Sequence, residues 1–534
     1  MPAQVGTDTA TGTATDTATG TATDTATDTA TDTATELFDL VVIGGGATGL
    51  AAARAAAGRP GRAGGAGPRV ALVEAERLGG DCTHHGCVPS KTVLEVARRV
   101  HAARSGAGRG FTATVDVDLA AVHERVRTVI SEIEQDESPQ VLERQGITVV
   151  PGRARFTGPH LLEVDDGRRQ RRLRAERVVL ATGAGPRIPA IDGLGDVPYL
   201  TNRTVFGLDT LPEHLLVLGG GPMGCELAQA YRRLGARVTL VSSGPQLLER
   251  DEPTAAAALT QVLRDEGVDV RTGRQVLRVS PVSRPGDVAG VRLHLRADED
   301  DGETIDGSVL LLATGRRPAT AGLGLEAAGV VVEPATGRVA VDATLRTTRP
   351  HIWAAGDCAA TLALTHLGDE QGRLAAGNAF ARRPKAFDGR VVPWVTFTDP
   401  EVARVGLTES EAYARYGAAA KVAHVPMAVT DRARCAGETA GFVRLIAAPR
   451  VPGVRSPYLL EVVGMTVVAP SGGEVMAAGA LAMRSRMLAG RLAQTITAYP
   501  TYSIAVRMAA ALLFGGGGHR ARDARPPEVR PTAT

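Results

Sequence analysis

The feature that most constrains this chain is a local plan used twice. LFDLVVIGGGATGLAAARAAA (37–57) and HLLVLGGGPMGCELAQAYRRLG (214–235) each run an apolar strand into a glycine turn and on into a helix. Both turns follow GxGxxG: Gly44, Gly46 and Gly49 in the first, Gly219, Gly221 and Gly224 in the second. The first glycine permits the turn, the second lets a pyrophosphate approach the backbone, and the third allows close helix–strand packing. The helix N-terminus then faces the phosphates. Such units, alternating with further strands, predict an α/β fold with parallel sheets. Two dinucleotide sites in one chain suggest a flavin and a nicotinamide.

The strand after each turn refines this. VALVE (70–74) ends on Glu74, where a carboxylate can bond ribose hydroxyls; the gap before it is lengthened by GRPGRAGG. VTLVSS (238–243) ends instead on Ser242 and Ser243. Lack of an acid there leans towards NADPH over NADH, with Arg250 available to a 2′-phosphate. From about residue 390 the pattern changes. VPWVTFTDPEVARVGLTESEA (392–412), FVRLI and LLEVVGMTVV predict strands of one sheet with helices to one side.

Net charge is +2, from 60 basic and 58 acidic side chains, which gives no reason to expect nucleic acid or an acidic membrane as partner. No segment has the apolar length of a membrane span, and the N-terminus does not read as a secretory signal. Five cysteines in 534 residues are no disulfide framework; they fit a reducing cytoplasm in which particular thiols do chemistry.

Two of those thiols lie in GGDCTHHGCVPSKT (79–92), ahead of the helical run TVLEVARRVHAA. A cysteine near a helix N-terminus has its thiolate favoured. Cys82 and Cys87 could therefore cycle between disulfide and dithiol and carry electrons from a flavin to an acceptor. A metal site is the alternative: both thiols and one of His84 and His85 could supply three ligands. No other Cys/His cluster with suitable spacing supports it, and the histidines read as spacers, one of them near Cys82. Cys225 and Cys358 read as buried, and Cys435 as a loop or strand residue.

These residues resemble the class I pyridine nucleotide–disulfide oxidoreductases, FAD flavoenzymes that include glutathione reductase, dihydrolipoamide dehydrogenase and mercuric reductase. GGDCTHHGCVPSK is similar to their redox-disulfide motif. VVLATG (178–183) and LLLATG (310–315) are similar to their paired segments at domain crossovers, which marks Thr182, Gly183 and Gly315 as cofactor-binding. IWAAGDCA (352–359) is similar to their second FAD motif, in which Asp357 would bond the ribityl chain. The resemblance implies that Cys82 is the interchange thiol and Cys87 the charge-transfer thiolate against the flavin. It also implies that Lys91 sits near the flavin and pairs with Glu226. Lys91 is one of only three lysines, with Lys385 and Lys421.

The implied architecture is two Rossmann-like nucleotide-binding domains, for FAD and NAD(P), plus a C-terminal α+β dimerisation domain of a homodimer. The expected divisions are a disordered Thr/Ala/Asp tail (1–36), the FAD domain in two parts (37–205 and 331–388), the NAD(P) domain (206–330), the dimerisation domain (389–512) and a second disordered tail (513–534).

One stretch departs from the disulfide reductases of this family. They carry a His-Pro-Thr segment and a nearby glutamate that move the proton of the interchange thiol and complete the partner's site. TITAYPTYSIAV (495–506) has Tyr499 at the histidine position and Ile504 at the glutamate position. Tyrosine is a poor base near neutral pH. Mercuric reductases have a tyrosine there, and GGGPMGCELAQAY and DRARCAGETAGFVRL resemble that branch. Those enzymes also carry a C-terminal cysteine pair, and no cysteine follows Cys435 here. The acceptor is thus expected to be a soft metal ion such as Hg(II) or a disulfide. A quinone-type diaphorase and a slow-cycling redox sensor are the alternatives.

Overall fold

The computed structural model describes residues 34–60, 66–106, 109–284, 288–296, 302–451, 453 and 456–514. The expected tails fall almost wholly outside these residues. At their inner edges, strand Glu36–Phe38 begins one residue before the expected boundary, and Leu513 and Phe514 still pack on the C-terminal core.

Each glycine turn sits in a five-stranded parallel sheet of the same design. In the first, the order is Ile352–Ala354, Val178–Leu180, Leu40–Ile43, Val70–Glu74, Ile147–Pro151. In the second, it is Tyr199–Leu200, Val309–Leu312, His214–Leu218, Arg237–Val241, Asp269–Arg271. The central strands LVVI and HLLVL are buried along their whole length, as parallel strands covered on both faces must be. In both sheets the strand carrying the turn lies between one that follows it and one that arrives later in the chain. That reversal of strand order opens a crevice at the carboxyl ends, where ligands of such sheets bind.

The C-terminal section is a five-stranded antiparallel sheet: Pro393–Thr396, Glu401–Gly406, Leu460–Ala469, Phe442–Pro449, Lys421–Pro426. Helices Gly472–Arg484 and Ile504–Leu512 share its buried core.

Two helix contacts position the functional residues. Helix Ala47–Ala57 is alanine-rich and crosses helix Thr365–Ala379 at close range: a Cβ on Gly372 would lie 2.2 Å from the Thr48 carbonyl oxygen. The crossing brings Thr365, the first residue of its helix, to the first crevice. Helix Pro222–Leu234, from the second glycine turn, packs on Cys87–Arg104 through Val93, Ala97, Leu227 and Tyr231. Glu226 thereby meets Lys91.

Candidate active site

One cleft of about 470 Å³ runs from the first glycine turn to the cysteine pair. It is lined by Gly44, Gly46, Glu74, Thr182, Gly183, Asp357, Cys82 and Cys87, all marked from the sequence. Gly49 lies behind it as a packing residue: a Cβ there would fall 1.7 Å from the Gly44 carbonyl oxygen. Gly44 itself has φ 107, a conformation glycine alone adopts without strain, and rests on the Ala181 backbone.

The cleft has the features a dinucleotide needs. Helix Ala47–Ala57 has no side-chain cap and no acid in its first turn, so its amides are open to an anion. A Cβ on Gly46 would meet nothing nearer than 3.8 Å, which leaves room for a pyrophosphate. Glu74 accepts from the Gly45 amide at 2.5 Å and holds its carboxylate at the strand end. The Thr182 hydroxyl is buried in the cleft wall near the Cys358 thiol with no oxygen or nitrogen partner, and a bound group would supply one. Burial pushes the Asp357 carboxyl up, against the pull of Arg316. The residues present fit FAD.

The cysteines sit at the far end. Cys82 lies in the short helix Gly80–His84, and Cys87 opens the helix Cys87–Arg104. Both are free thiols, and both sulfurs touch one hydroxyl: Thr365 Oγ1 is 3.3 Å from Cys82 Sγ and 3.4 Å from Cys87 Sγ. The two thiols titrate apart. Cys87 is lowered to about 6, first by hydrogen bonding from Cys82, then by Thr365 and the Lys91 charge. Cys82 is held far above the ordinary thiol range by the same contact and by burial. At neutral pH the reduced pair is therefore a Cys87 thiolate beside a protonated Cys82.

Around the pair the charges are fixed. Lys91 Nζ donates to Glu226 Oε2 at 2.8 Å and lies 4.5 Å from the centre of the Phe397 ring. Glu226 is almost fully buried, and its other oxygen accepts from the Phe397 amide at 2.8 Å. Asp81, next to Cys82, is held by Arg316 at 2.7 Å and by the Asn202 amide. His84 is buried with Nε2 on the Leu78 carbonyl oxygen at 2.7 Å, while burial keeps His85 below its ordinary pKa. Among the described residues no three His, Cys, Asp or Glu side chains gather as a metal site.

The second turn repeats the first. Gly219 has φ 124 against the Ala313 backbone, Gly221 has open space where a Cβ would stand, and Gly224 closes on the Gly219 carbonyl oxygen. Gly315 also borders open space. Arg250 is exposed.

Tyr499 is not among the residues lining the cleft. It lies on the C-terminal section, 68 % exposed, and donates to Asp431 Oδ2 at 2.7 Å. That carboxylate raises the phenol above its ordinary pKa. Ile504 opens helix Ile504–Leu512. Cys435 lies in a helix, Asp431–Ala436, not in a loop or strand; Gly437 in the left-handed region ends that helix. Burial pushes the Cys225 thiol up strongly and Cys358 to about 11, so neither is a ready nucleophile.

Sequence reasoning missed Thr365, Arg316, Asp81, Phe397 and Asp431. Arg316 and Asp81 carried a local signal, directly after Gly315 and directly before Cys82.

The model of the pyridine nucleotide-disulphide oxidoreductase family matches residues 38–372, and the model of its dimerisation domain matches 392–510. The mercuric reductase of Streptomyces lividans is 36 % identical over 481 residues, 89 % of this chain and 95 % of that protein. The dihydrolipoyl dehydrogenase of Thermus scotoductus is 34 % identical over 477 residues, 89 % of this chain and 97 % of that protein. The HOCl-induced flavoprotein disulfide reductase RclA from Escherichia coli, solved as a Cu(II) complex, superposes with a TM-score of 0.76 at 27 % identity, over 89 % of this chain and 99 % of that one. No described helix is long and apolar enough to cross a membrane. The chain belongs to the pyridine nucleotide-disulphide oxidoreductase family and is an NAD(P)H-dependent FAD oxidoreductase.

Proposed function

We propose that this enzyme spends electrons from NAD(P)H, through the Cys82–Cys87 pair, on a soft metal ion held by thiolates. The observation that carries the reading is the pairing of a Cys87 thiolate with Tyr499 at the position of the family's acid–base histidine. Thiol–disulfide exchange on Cys82 needs a group that takes its proton and returns it. The Tyr499 proton is held by Asp431, and the phenol is a weaker acid for it. Metal capture makes a smaller demand. A soft ion binds two thiolates, displaces the Cys82 proton once, and leaves as the metal after two electrons. The sum is NAD(P)H plus Hg(II) giving NAD(P)⁺, Hg(0) and one proton. Two of the comparison proteins bear on metals by their names, the mercuric reductase and the Cu(II) complex of RclA.

FAD, when bound, supplies the two-electron step between the nicotinamide and the disulfide. The chain's own residues hold what surrounds it. Gly44, Gly46 and Glu74 would seat its pyrophosphate and ribose, with Thr182, Gly183 and Asp357 along its length. Gly219, Gly221, Gly224 and Gly315 would seat the pyridine nucleotide. Lys91, fixed by Glu226, keeps a positive charge by the Cys87 thiolate. Thr365 donates to whichever sulfur is charged.

The proposal includes a homodimer. Ile496 and Leu481 of the C-terminal section are 97 % and 64 % exposed, and Tyr499 beside Ile496 would then face the partner's cleft. Five cysteines in 534 residues, two of them given to redox chemistry, support a reducing, cytoplasmic setting.

The test is nucleotide oxidation by the FAD-loaded protein with Hg(II) plus excess thiol, against lipoamide. Fast Hg(II)-dependent turnover that disappears in Cys82→Ser supports the reading. Fast lipoamide turnover with inert Hg(II) refutes it. Acceptor reduction that survives Cys82→Ser would bypass the dithiol and assign a diaphorase.

A further inference from the structure

The two glycine turns are built alike but treat the ribose end differently. A Cβ on Gly45 would meet Leu78 Cδ2 at 2.8 Å and Glu74 Oε2 at 3.0 Å. At the matching Gly220 the neighbours are Leu247 Cδ2 at 2.8 Å and Ser242 Oγ at 2.6 Å. Ser242 therefore occupies the place of Glu74, and the carboxylate is gone from the strand end. On spacing alone this favours a 2′-phosphate.

The folded chain returns a carboxylate by another route. The segment after the strand turns back on the glycine turn, and the Leu248 amide donates to the Gly220 carbonyl oxygen at 2.9 Å. Glu249 follows and lays its side chain over Gly244, two residues past Ser242. A Cβ on Gly244 would lie 1.4 Å from Glu249 Oε1 and 2.5 Å from its Cδ. Glu249 is exposed, and no described basic group pairs with it. The basic residues on the adjoining strand and turn are already engaged: Arg271 with Asp269 and Glu303, Arg274 with Glu303. The Arg250 carbonyl oxygen accepts from Arg404 Nη1 at 2.8 Å, which ties the backbone of this segment to the C-terminal section.

We propose that Glu249 selects the pyridine nucleotide: its carboxylate accepts from the free 2′-hydroxyl of NADH and repels the 2′-phosphate of NADPH. The proposal rests on the reading that the second glycine turn holds the pyridine nucleotide. It reverses the lean towards NADPH that the serines suggest. An acid at this rim acts on the 2′-position as a strand-end acid does. Because Glu249 is exposed, solvent weakens the repulsion, and roughly ten- to hundredfold discrimination is expected.

The test is calorimetric binding of ADP-ribose and of its 2′-phosphate to the FAD-loaded full-length protein. The wild type should bind ADP-ribose at least about tenfold more tightly, and Glu249→Gln should bring the two within about threefold. The change should come mainly from better binding of the phosphorylated ligand. Raising the salt concentration should narrow the wild-type ratio and leave the variant's unchanged. A wild type that prefers the 2′-phosphate, or a Glu249→Gln ratio equal to the wild type's, overturns the role of Glu249. Gly221→Val checks the underlying reading. Its side chain meets open space in the protein, so the fold should hold while both ligands are lost. Retention of both by that variant would move the nucleotide elsewhere, a failure distinct from that of Glu249.

Discussion

Replacing Thr365 with valine keeps its shape and removes the one hydroxyl that touches both sulfurs. That hydroxyl lies 3.3 Å from Cys82 Sγ and 3.4 Å from Cys87 Sγ. A hydrogen bond to a charged group contributes about 1.5–3 kcal/mol, and the lower end applies at a cleft open to water. At about 1.4 kcal/mol per pH unit, roughly one unit of Cys87 acidity depends on it. The Cys87 midpoint, lowered to about 6 in the wild type, should rise to about 7 in Thr365→Val. The sign follows from thiolate chemistry. Below the midpoint Cys87 is protonated and alkylates slowly; above it the rate levels off. At pH 6.5 the variant's alkylation rate should thus fall about threefold. Cys82→Ala removes the largest stabilising contact and should raise the midpoint further. The assay is iodoacetamide alkylation of the reduced protein between about pH 5 and 9, read by mass spectrometry on the Cys87 peptide. If both variants keep the wild-type midpoint, neither contact holds the thiolate and the reasoning is wrong.

Gly46→Val should purify without flavin colour and melt with the flavin-free wild type, because the added side chain fills only the space left for a pyrophosphate. Gly49→Ala should do the reverse and cost about 1–3 kcal/mol or more in denaturant unfolding, since its Cβ would fall 1.7 Å from a carbonyl oxygen. Lys91→Met leaves the buried Glu226 carboxylate without its cation and should destabilise by about 3 kcal/mol, with Lys91→Met/Glu226→Gln regaining most of the loss. Tyr499→Phe should leave the melting temperature unchanged, its hydroxyl being exposed, yet lower kcat/KM for the metal ion about tenfold; an unchanged kcat/KM removes Tyr499 from the site.

The parts of the cleft that the sequence discloses are those fixed by local spacing. Gly44, Gly46 and Glu74 belong to one strand–turn–helix–strand unit, and Cys82 and Cys87 to one short segment, so their neighbours are also their partners. Thr365 is 278 positions from Cys87 and reaches it only through the close crossing of two helices. Asp431 is 68 positions from Tyr499 and meets it through the packing of the C-terminal section. Glu249 was hidden for a different reason. It is near in sequence, but only the backward fold of its segment lays it over Gly244. Cys435 read as a loop or strand residue because its helix is six residues long, too short for a periodic pattern.

The second nucleotide unit and the C-terminal section meet through a shared apolar core, in which Val402, Phe442 and Val468 join Leu247, Leu248 and Leu259, and through a set of directional polar contacts that has a consequence. Asp251 accepts from the Trp394 indole at 2.9 Å, Glu252 accepts from the Glu409 amide at 2.6 Å, and Arg444 lies 3.4 Å from Glu252. Arg233 joins Glu266 and Asp399 at 2.7 and 2.8 Å. Buried pairs of this kind contribute little net stability, because desolvation offsets their attraction; they fix one geometry against others. Here the geometry they fix is that of the segment carrying Glu249 and Arg250. Glu226 makes the same kind of link one step closer to the chemistry, with one oxygen on Lys91 and the other on the Phe397 amide. The charge beside the Cys87 thiolate and the acid beside the second glycine turn are thus both set against the section that carries Tyr499. A shift of that section would move the nucleotide rim and the redox pair together. The apolar core shared by the two sections is non-directional and would not by itself hold either in register.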